Sequence, residues 1–515
     1  MIEAEVHFSL HNFLRSQEHI PSWPHHLTMA RLVARALRLE RSALIQVGAT
    51  CGYQGTYRTS FVAPALMWHR PTIIVATEVV QQRLLQVEIK RLQQWLQTDK
   101  PIRTGTWPGE DFPGLLLVSP QAWLKAQLFG IGHFPPGIPT IIDGVDDWED
   151  LVRQELTVSI QPQDWDELML ACPTLADVIR SCRVQLTHLV FQHPANPYEC
   201  YLIQEPEQEV LERLYQALDE LGVPDTALPS AWRKYRQQCL GSEAQLRWVT
   251  ISRRQGLFSL GSAPVDVNTT LSPIWQRQPV VLVGSALELE AEAPLFRQRL
   301  GLEDLTCLKF SGDRSSEAIQ LYVPDKLPLP NTPEFQGAFI QKIRTLLCLS
   351  NTAPGLIVVL VGDVPLKAQV GAILAAEFGS RVQVEKTCLD ENGILVSGWE
   401  FWQQHQAVLP SPQMLAIATL PLPSLENPLV AGRVAYYKKT HQDWFRLYLL
   451  PTALSELQRA IAPIRESQGF VALLDSRVLY RSYGSQVLTA LSPLARINYL
   501  DPNLFSQAGN QDNGM

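Results

Sequence analysis

Residues 48–60 read GATCGYQGTYRTS, set between the apolar runs SALIQV (42–47) and FVAPALMW (61–68). A glycine-rich turn between a strand and a helix is where backbone amides can cradle a phosphate. The pattern GxxGxGK[ST] can be laid on GYQGTYRT (52–59): Gly52 and Gly55 keep the first two glycine positions, and Thr59 keeps the magnesium-binding hydroxyl. Tyr57 stands where the third glycine belongs, and Arg58 stands for the lysine. Tyrosine adds bulk and restricts the dihedrals where backbone would approach phosphate. Arginine keeps the charge but is a planar fork, not a compact point charge. Two readings stay open on these residues: a phosphate loop with altered chemistry, or a strand–helix turn that needs glycine only for its own geometry.

Other chemistry is sparse. The eight cysteines (51, 172, 182, 200, 239, 307, 348 and 388) show no CxxC or CxxH pairing, so buried, reduced thiols are expected. His25-His26 is the one adjacent histidine pair, and no HExxH-type cluster occurs. Net charge is -8, which announces no polyanion binder in bulk but leaves room for a local basic groove. The opening MIEAEVHFSLHNF lacks a signal-peptide pattern and the longest apolar runs have strand length, so a cytoplasmic protein without a membrane span is expected.

The elements that must position these residues are short apolar runs alternating with helical patterns. SALIQVG (42–48), TIIVAT (72–77), LLLVS (115–119), TIID (140–143) and, after a long gap, VVLVGSA (280–286) form a first set. LIVVLVGD (356–363), GILVSG (393–398), LAIATLPL (415–422) and FVALLDS (470–476) form a second. Near-continuous apolar strands between helices predict parallel sheets covered on both faces. The fold expected is α/β, with two lobes and a mainly helical insertion in the first. The first lobe is placed at 1–150 and 245–290, the insertion at 151–244, the second lobe at 291–500, and a flexible tail at 501–515.

Several further stretches, in one order, carry a resemblance. WPHHLTMARLVARAL (23–37), PTIIVATEVVQQRLL (71–85), GIPTIIDGVDDWEDLVRQELT (137–157), WVTISRRQGLFSLGSAPVDVNTTLSPIWQRQPVVLVGSALE (248–288), GWEFWQQ (398–404) and FRLYLLPTALSELQRAIAPIRESQGFVALLDSRVLYRSYGSQVL (445–488) follow one another. Together they resemble the DinG/XPD-like branch of superfamily 2 DNA helicases, over most of residues 20–495 outside the insertion. The resemblance implies two RecA-like lobes, ATP and magnesium as ligands, and single-stranded DNA as partner. It puts His26 where the adenine-reading glutamine stands, Gly52, Gly55, Arg58 and Thr59 in the phosphate loop, and Asp143 with Thr59 on magnesium. Gln458 and Arg465 fall in the arginine-finger motif. Thr77 and Arg83 fall in a DNA-backbone segment, and Phe401 and Trp402 in the segment resembling SFWEGVD.

The departures from the family pattern concentrate on phosphoryl transfer. Gly144 replaces the water-polarising glutamate, Asp146 the histidine of the same box, Gln406 an aspartate, and Ala462 the first arginine of the finger motif. Losing one arginine finger alone costs about 10³–10⁵ in rate. No cysteine lies between Arg58 and Asp143, where iron–sulfur members carry four, so no cluster is expected. The reading is a helicase-like, nucleic-acid-binding protein with ATP hydrolysis impaired or lost. Against it stand an active ATP-dependent DNA helicase of repair or replication, with Asp143 and Arg465 catalytic, and a non-catalytic scaffold for a protein partner.

Overall fold

The computed structural model describes residues 1–17, 23–109, 111–132, 134–310, 318–350 and 355–501. The expected tail at 501–515 therefore falls outside the described residues except for Asp501.

Two parallel sheets of seven strands form the cores of two α/β lobes. In the first, the order is Thr306–Lys309, Ala43–Gln46, Val280–Gly284, Thr140–Asp143, Thr72–Val75, Leu115–Val118 and Ile102–Thr104. The four strands from Ala43, Thr72, Leu115 and Thr140 are buried at every residue, as strands covered on both faces must be. Val280–Gly284 pairs in parallel with both Ala43–Gln46 and Thr140–Asp143, so the chain returns to this sheet after a long excursion. In the second sheet the order is Val382–Val384, Ile394–Ser397, Leu356–Leu360, Pro412–Ile417, Phe470–Leu473, Ile319–Tyr322 and Leu494–Ile497.

The expected boundaries change in two places. Thr306–Lys309 pairs with Ala43–Gln46 and so belongs to the first lobe, beyond the expected limit at 290. The insertion is not only helical: a four-stranded antiparallel sheet joins Val158–Ile160, Leu257–Pro264, Gln245–Ser252 and Cys200–Leu202. The hairpin at 245–264, expected in the first lobe, is half of that sheet. Its strands pair with each other through a tight local turn, and each also finds a partner inside the insertion. Helices Pro162–Ala171, Ala176–Phe191, Glu205–Glu220 and Ser230–Leu240 pack on this sheet around Trp165, Trp232 and Tyr235.

The second lobe sends out an arm, the helix Pro428–Lys439 and the π-helical turn Phe445–Leu449, with a small core of Val434, Tyr437, Tyr448 and Leu449. The arm lies against the insertion, where Gly432 comes so close to Leu202 and Leu246 that a Cβ would sit 2.8–3.2 Å from them. No described helix is long and apolar enough to cross a membrane.

Candidate nucleotide site and the closed phosphate loop

The strand Ala43–Gln46 leads into Gly48, whose φ of +87° only glycine adopts easily, and then into a six-residue helix, Ala49–Gln54. This helix lies where the sequence resemblance puts a phosphate loop. Its amides are used internally: Gly52 N–H donates to the Gly48 carbonyl at 2.9 Å and Gly55 N–H to the Cys51 carbonyl at 2.8 Å. A Cβ on Gly52 would lie 2.3 Å from the Cβ of Ser285, so glycine here lets the helix seat against the end of Val280–Gly284. Ser285 is itself fixed by Asp146, whose carboxylate accepts from Ser285 N–H, from its hydroxyl at 2.8 Å and from Ala286 N–H at 2.7 Å. Asp146, at the histidine position of the family box, thus caps backbone.

Asp143 ends its strand buried, and its two oxygens face two donors from the glycine-rich segment. The Tyr57 hydroxyl donates to Oδ1 in a short contact, and Arg58 Nε donates to Oδ2 at 3.0 Å. The Arg58 and Asp143 side chains are 11% and 2% exposed, so this ion pair is cut off from solvent. Burial works against the guanidinium charge, but the Asp143 carboxylate more than offsets it and keeps Arg58 protonated. Burial and the same carboxylate push the Tyr57 phenol well above its usual range. Gly55, at φ +68°, leaves room for Arg58: a Cβ there would stand 2.1 Å from Nη1. The residue after Asp143, Gly144, has φ +81°, a conformation an L-side chain adopts only with strain.

This donor set does not fit a magnesium–triphosphate as arranged. A fixed cation, Arg58, already neutralises Asp143, and the loop amides answer their own carbonyls. Thr59, expected to share magnesium with Asp143, is buried in the helix Arg58–Met67 and lines a separate cavity of about 350 Å³ with Gly55, Arg83, Glu88 and Glu466. Among the described residues no group of three or more His, Cys, Asp and Glu is placed to hold a metal.

The remaining expected site residues divide. Gln458 and Arg465 line a cleft of about 470 Å³ between the lobes, with Gly48, Ala49, Thr50, Lys309 and Phe310. Within it Gln458 Nε2 donates to its own helix at Leu454, and Arg465 donates to the carbonyls of Leu491, Ser492 and Pro493. Arg465 therefore holds the C-terminal end of a second-lobe helix, which differs from the catalytic role expected of it. His26 is buried, 2.8 Å from the Ser60 hydroxyl, and ties two first-lobe helices together rather than facing the cleft. Beside it Trp23 and His25 pack on Phe310, with the His25 and Phe310 rings stacked at 4.8 Å.

On the nucleic-acid side, Thr77 is exposed at the start of the helix Glu78–Arg83. Arg83 is 46% exposed and pairs with Glu88 at 3.2 Å. Trp402, placed by the resemblance in the SFWEGVD-like segment, is fully buried and donates from Nε1 to the Ala460 carbonyl at 2.9 Å. Phe401 is half-buried and stacks on His405 at 4.2 Å. An aromatic ring spent on the second-lobe core cannot also meet a base.

The sequence offered no direct sign of the bonds that organise this region. Tyr57 reads as mere bulk until its hydroxyl is seen on Asp143. The usable signal is two donors in a row, Tyr57-Arg58, against a buried aspartate at a strand end.

No family model matches the chain. A curated relative, the ATP-dependent DNA helicase YoaA of Escherichia coli (strain K12), is 22% identical over 253 residues, which is 46% of this chain and 40% of that protein. The match thus spans less than half of the relative's length. Among solved structures, one of the XPD helicase superimposes with a TM-score of 0.59 at 10% identity, over 93% of this chain and 100% of that one. A second, of XPD without ligand, gives 0.58 at 11% identity, over 91% and 100%. The chain is similar in sequence to that helicase over part of its length, and its fold is the two-lobed, RecA-like fold of the XPD structures.

Proposed function

We propose that this protein is a helicase-fold nucleic-acid binder that does not turn over ATP. The observation that carries the reading is the pairing of Tyr57 and Arg58 with Asp143. Phosphoryl transfer is catalysed almost wholly by positioned charge. Here the charge meant for phosphate is spent on the carboxylate meant for magnesium. Gly144 supplies no base, and Arg465 is committed to three carbonyls of its own lobe. Nucleic-acid binding is carried over from the DNA helicase relative, and single strands are the form the fold suits, through phosphates more than bases.

The test is phosphate release with and without single-stranded DNA, run beside fluorescence-anisotropy binding of the same oligonucleotide over a salt series. The expected result is no DNA-stimulated turnover, with affinity that falls steeply as salt rises, because phosphate contacts release counterions. Turnover near or above about 1 s⁻¹, abolished by Arg58→Ala, would make the protein a working ATPase. Absence of binding even at low salt would remove the nucleic-acid half of the proposal and leave a scaffold.

A further inference from the structure

One carboxylate sits where the first lobe, the insertion and the arm of the second lobe meet. Glu149 lies on the first-lobe helix Trp148–Leu156. Its Oε1 accepts from Arg153 at 2.6 Å and from Arg433 of the arm at 2.5 Å, and its Oε2 lies 3.6 Å from Arg299. Each arginine is anchored a second time. Arg153 donates to the carbonyls of Pro264 and Val265, where the insertion ends. Arg299 reaches the Leu447 carbonyl of the arm, and the Arg433 guanidinium lies 4.0 Å over the Tyr448 ring. Burial would raise the Glu149 carboxyl, but Arg433, Arg299 and Arg153 hold it down to about 2, so it stays charged.

We propose that Glu149 is a latch that fixes the two lobes in one arrangement, so that the protein presents a static surface and not a cycling one. Opening this junction would take Arg433 from Glu149 and leave that guanidinium, 7% exposed, without its carboxylate in a place largely closed to water, the costly way to break a buried pair. A hinge could spare the latch only by opening at the other end of the interface, and that end is bonded too. Gln54 of the loop helix donates to Glu466 at 2.7 Å and Tyr53 to the Gln406 carbonyl at 3.3 Å. The inference rests on these contacts and not on the absence of ATP turnover.

The experiment is small-angle X-ray scattering and amide hydrogen exchange on the full chain, alone and with a non-hydrolysable ATP analogue. The wild type is expected to give one compact scattering profile in both conditions. Glu149→Gln is expected to enlarge the radius of gyration. It should also speed exchange in 428–439 and 294–300 by at least about tenfold while the two sheets stay protected. If that variant does not fold, Arg433→Gln, which leaves Glu149 with two arginines, is read the same way. A wild type whose profile changes with ligand, or a folded variant indistinguishable from it, would overturn the latch. A mobile wild type without turnover defeats the latch alone, and a rigid wild type with turnover defeats the proposed function alone.

Discussion

Each lobe ends a central strand in a buried aspartate, and the two are satisfied in different ways. Asp475, just beyond Phe470–Leu473, receives the backbone N–H of Leu420 at 2.9 Å and that of Arg477 at 3.1 Å, together with the Arg477 guanidinium two residues on. Two of its donors are backbone N–H groups, and all but Leu420 are near. Asp143 receives only side chains among its described hydrogen bonds, Tyr57 and Arg58, from 86 and 85 residues away. A carboxylate held by backbone is part of the fold wherever the side chains go. One held by two side chains from a distant glycine-rich segment depends on those side chains, and they can be removed one at a time.

The largest expected effect follows from that difference. Arg58→Ala strips the buried Asp143 of its cation and should destabilise the protein by about 3–5 kcal/mol, measured by urea unfolding. The matching change in the other lobe, Arg477→Ala, leaves both backbone donors on Asp475 and should cost less, about 1.5–3 kcal/mol. Equal losses would erase the distinction between the two aspartates.

Gly144→Glu tests the same strand end from the other side. No heavy atom lies within 4 Å of a Cβ there, so the cost is backbone strain at φ +81°, about 1–2 kcal/mol. No turnover should appear, since a restored base has no activated phosphate to serve. A gain in DNA-stimulated phosphate release would show that Arg58 leaves Asp143 when nucleotide arrives.

The smallest effect is expected near the latch and depends on pH. Burial, with Asp147 nearby, raises Glu456 to about 7 despite the opposing pull of Arg459. Its folded pKa stands above the unfolded value, so its contribution is fully present below about pH 4.5 and is lost as pH rises through about 7. Glu456→Gln should therefore gain about 1–2 kcal/mol over wild type at pH 8 and nothing at about pH 4, a range discounted for partial exposure. Thermal melts at the two pH values decide it, and a pH-independent difference would remove Glu456 as the titrating group.

Much of the fold was legible because parallel strands covered on both faces read as unbroken apolar runs, as in TIIV and LIVVL. The strands that escaped are short, partly exposed edges such as Ile102–Thr104 and Leu494–Ile497, whose burial pattern carries no such run. The hairpin at 245–264 went unread as strands and its segment was placed in the first lobe, because QLRWVTIS alternates without the unbroken apolar run of a doubly covered strand. At the candidate site, spacing gave the positions and not the bonds. That Trp402 is core, that Arg465 caps a helix and that Glu149 gathers three arginines all depend on contacts between distant segments. Arg433, for one, is 284 residues from Glu149.

The helix at Ala49–Gln54 carries one further consequence. A ligand redistributes a protein between two arrangements only by the difference in its affinity for them. Where a loop is open, phosphate binding can order it, and that ordering is a signal other elements can read. Here the loop is already folded, sealed on Ser285 and bonded to the second lobe through Tyr53 and Gln54. On the proposed function, a nucleotide reaching the cleft would find the loop already folded and would have no ordering step to report to the rest of the molecule.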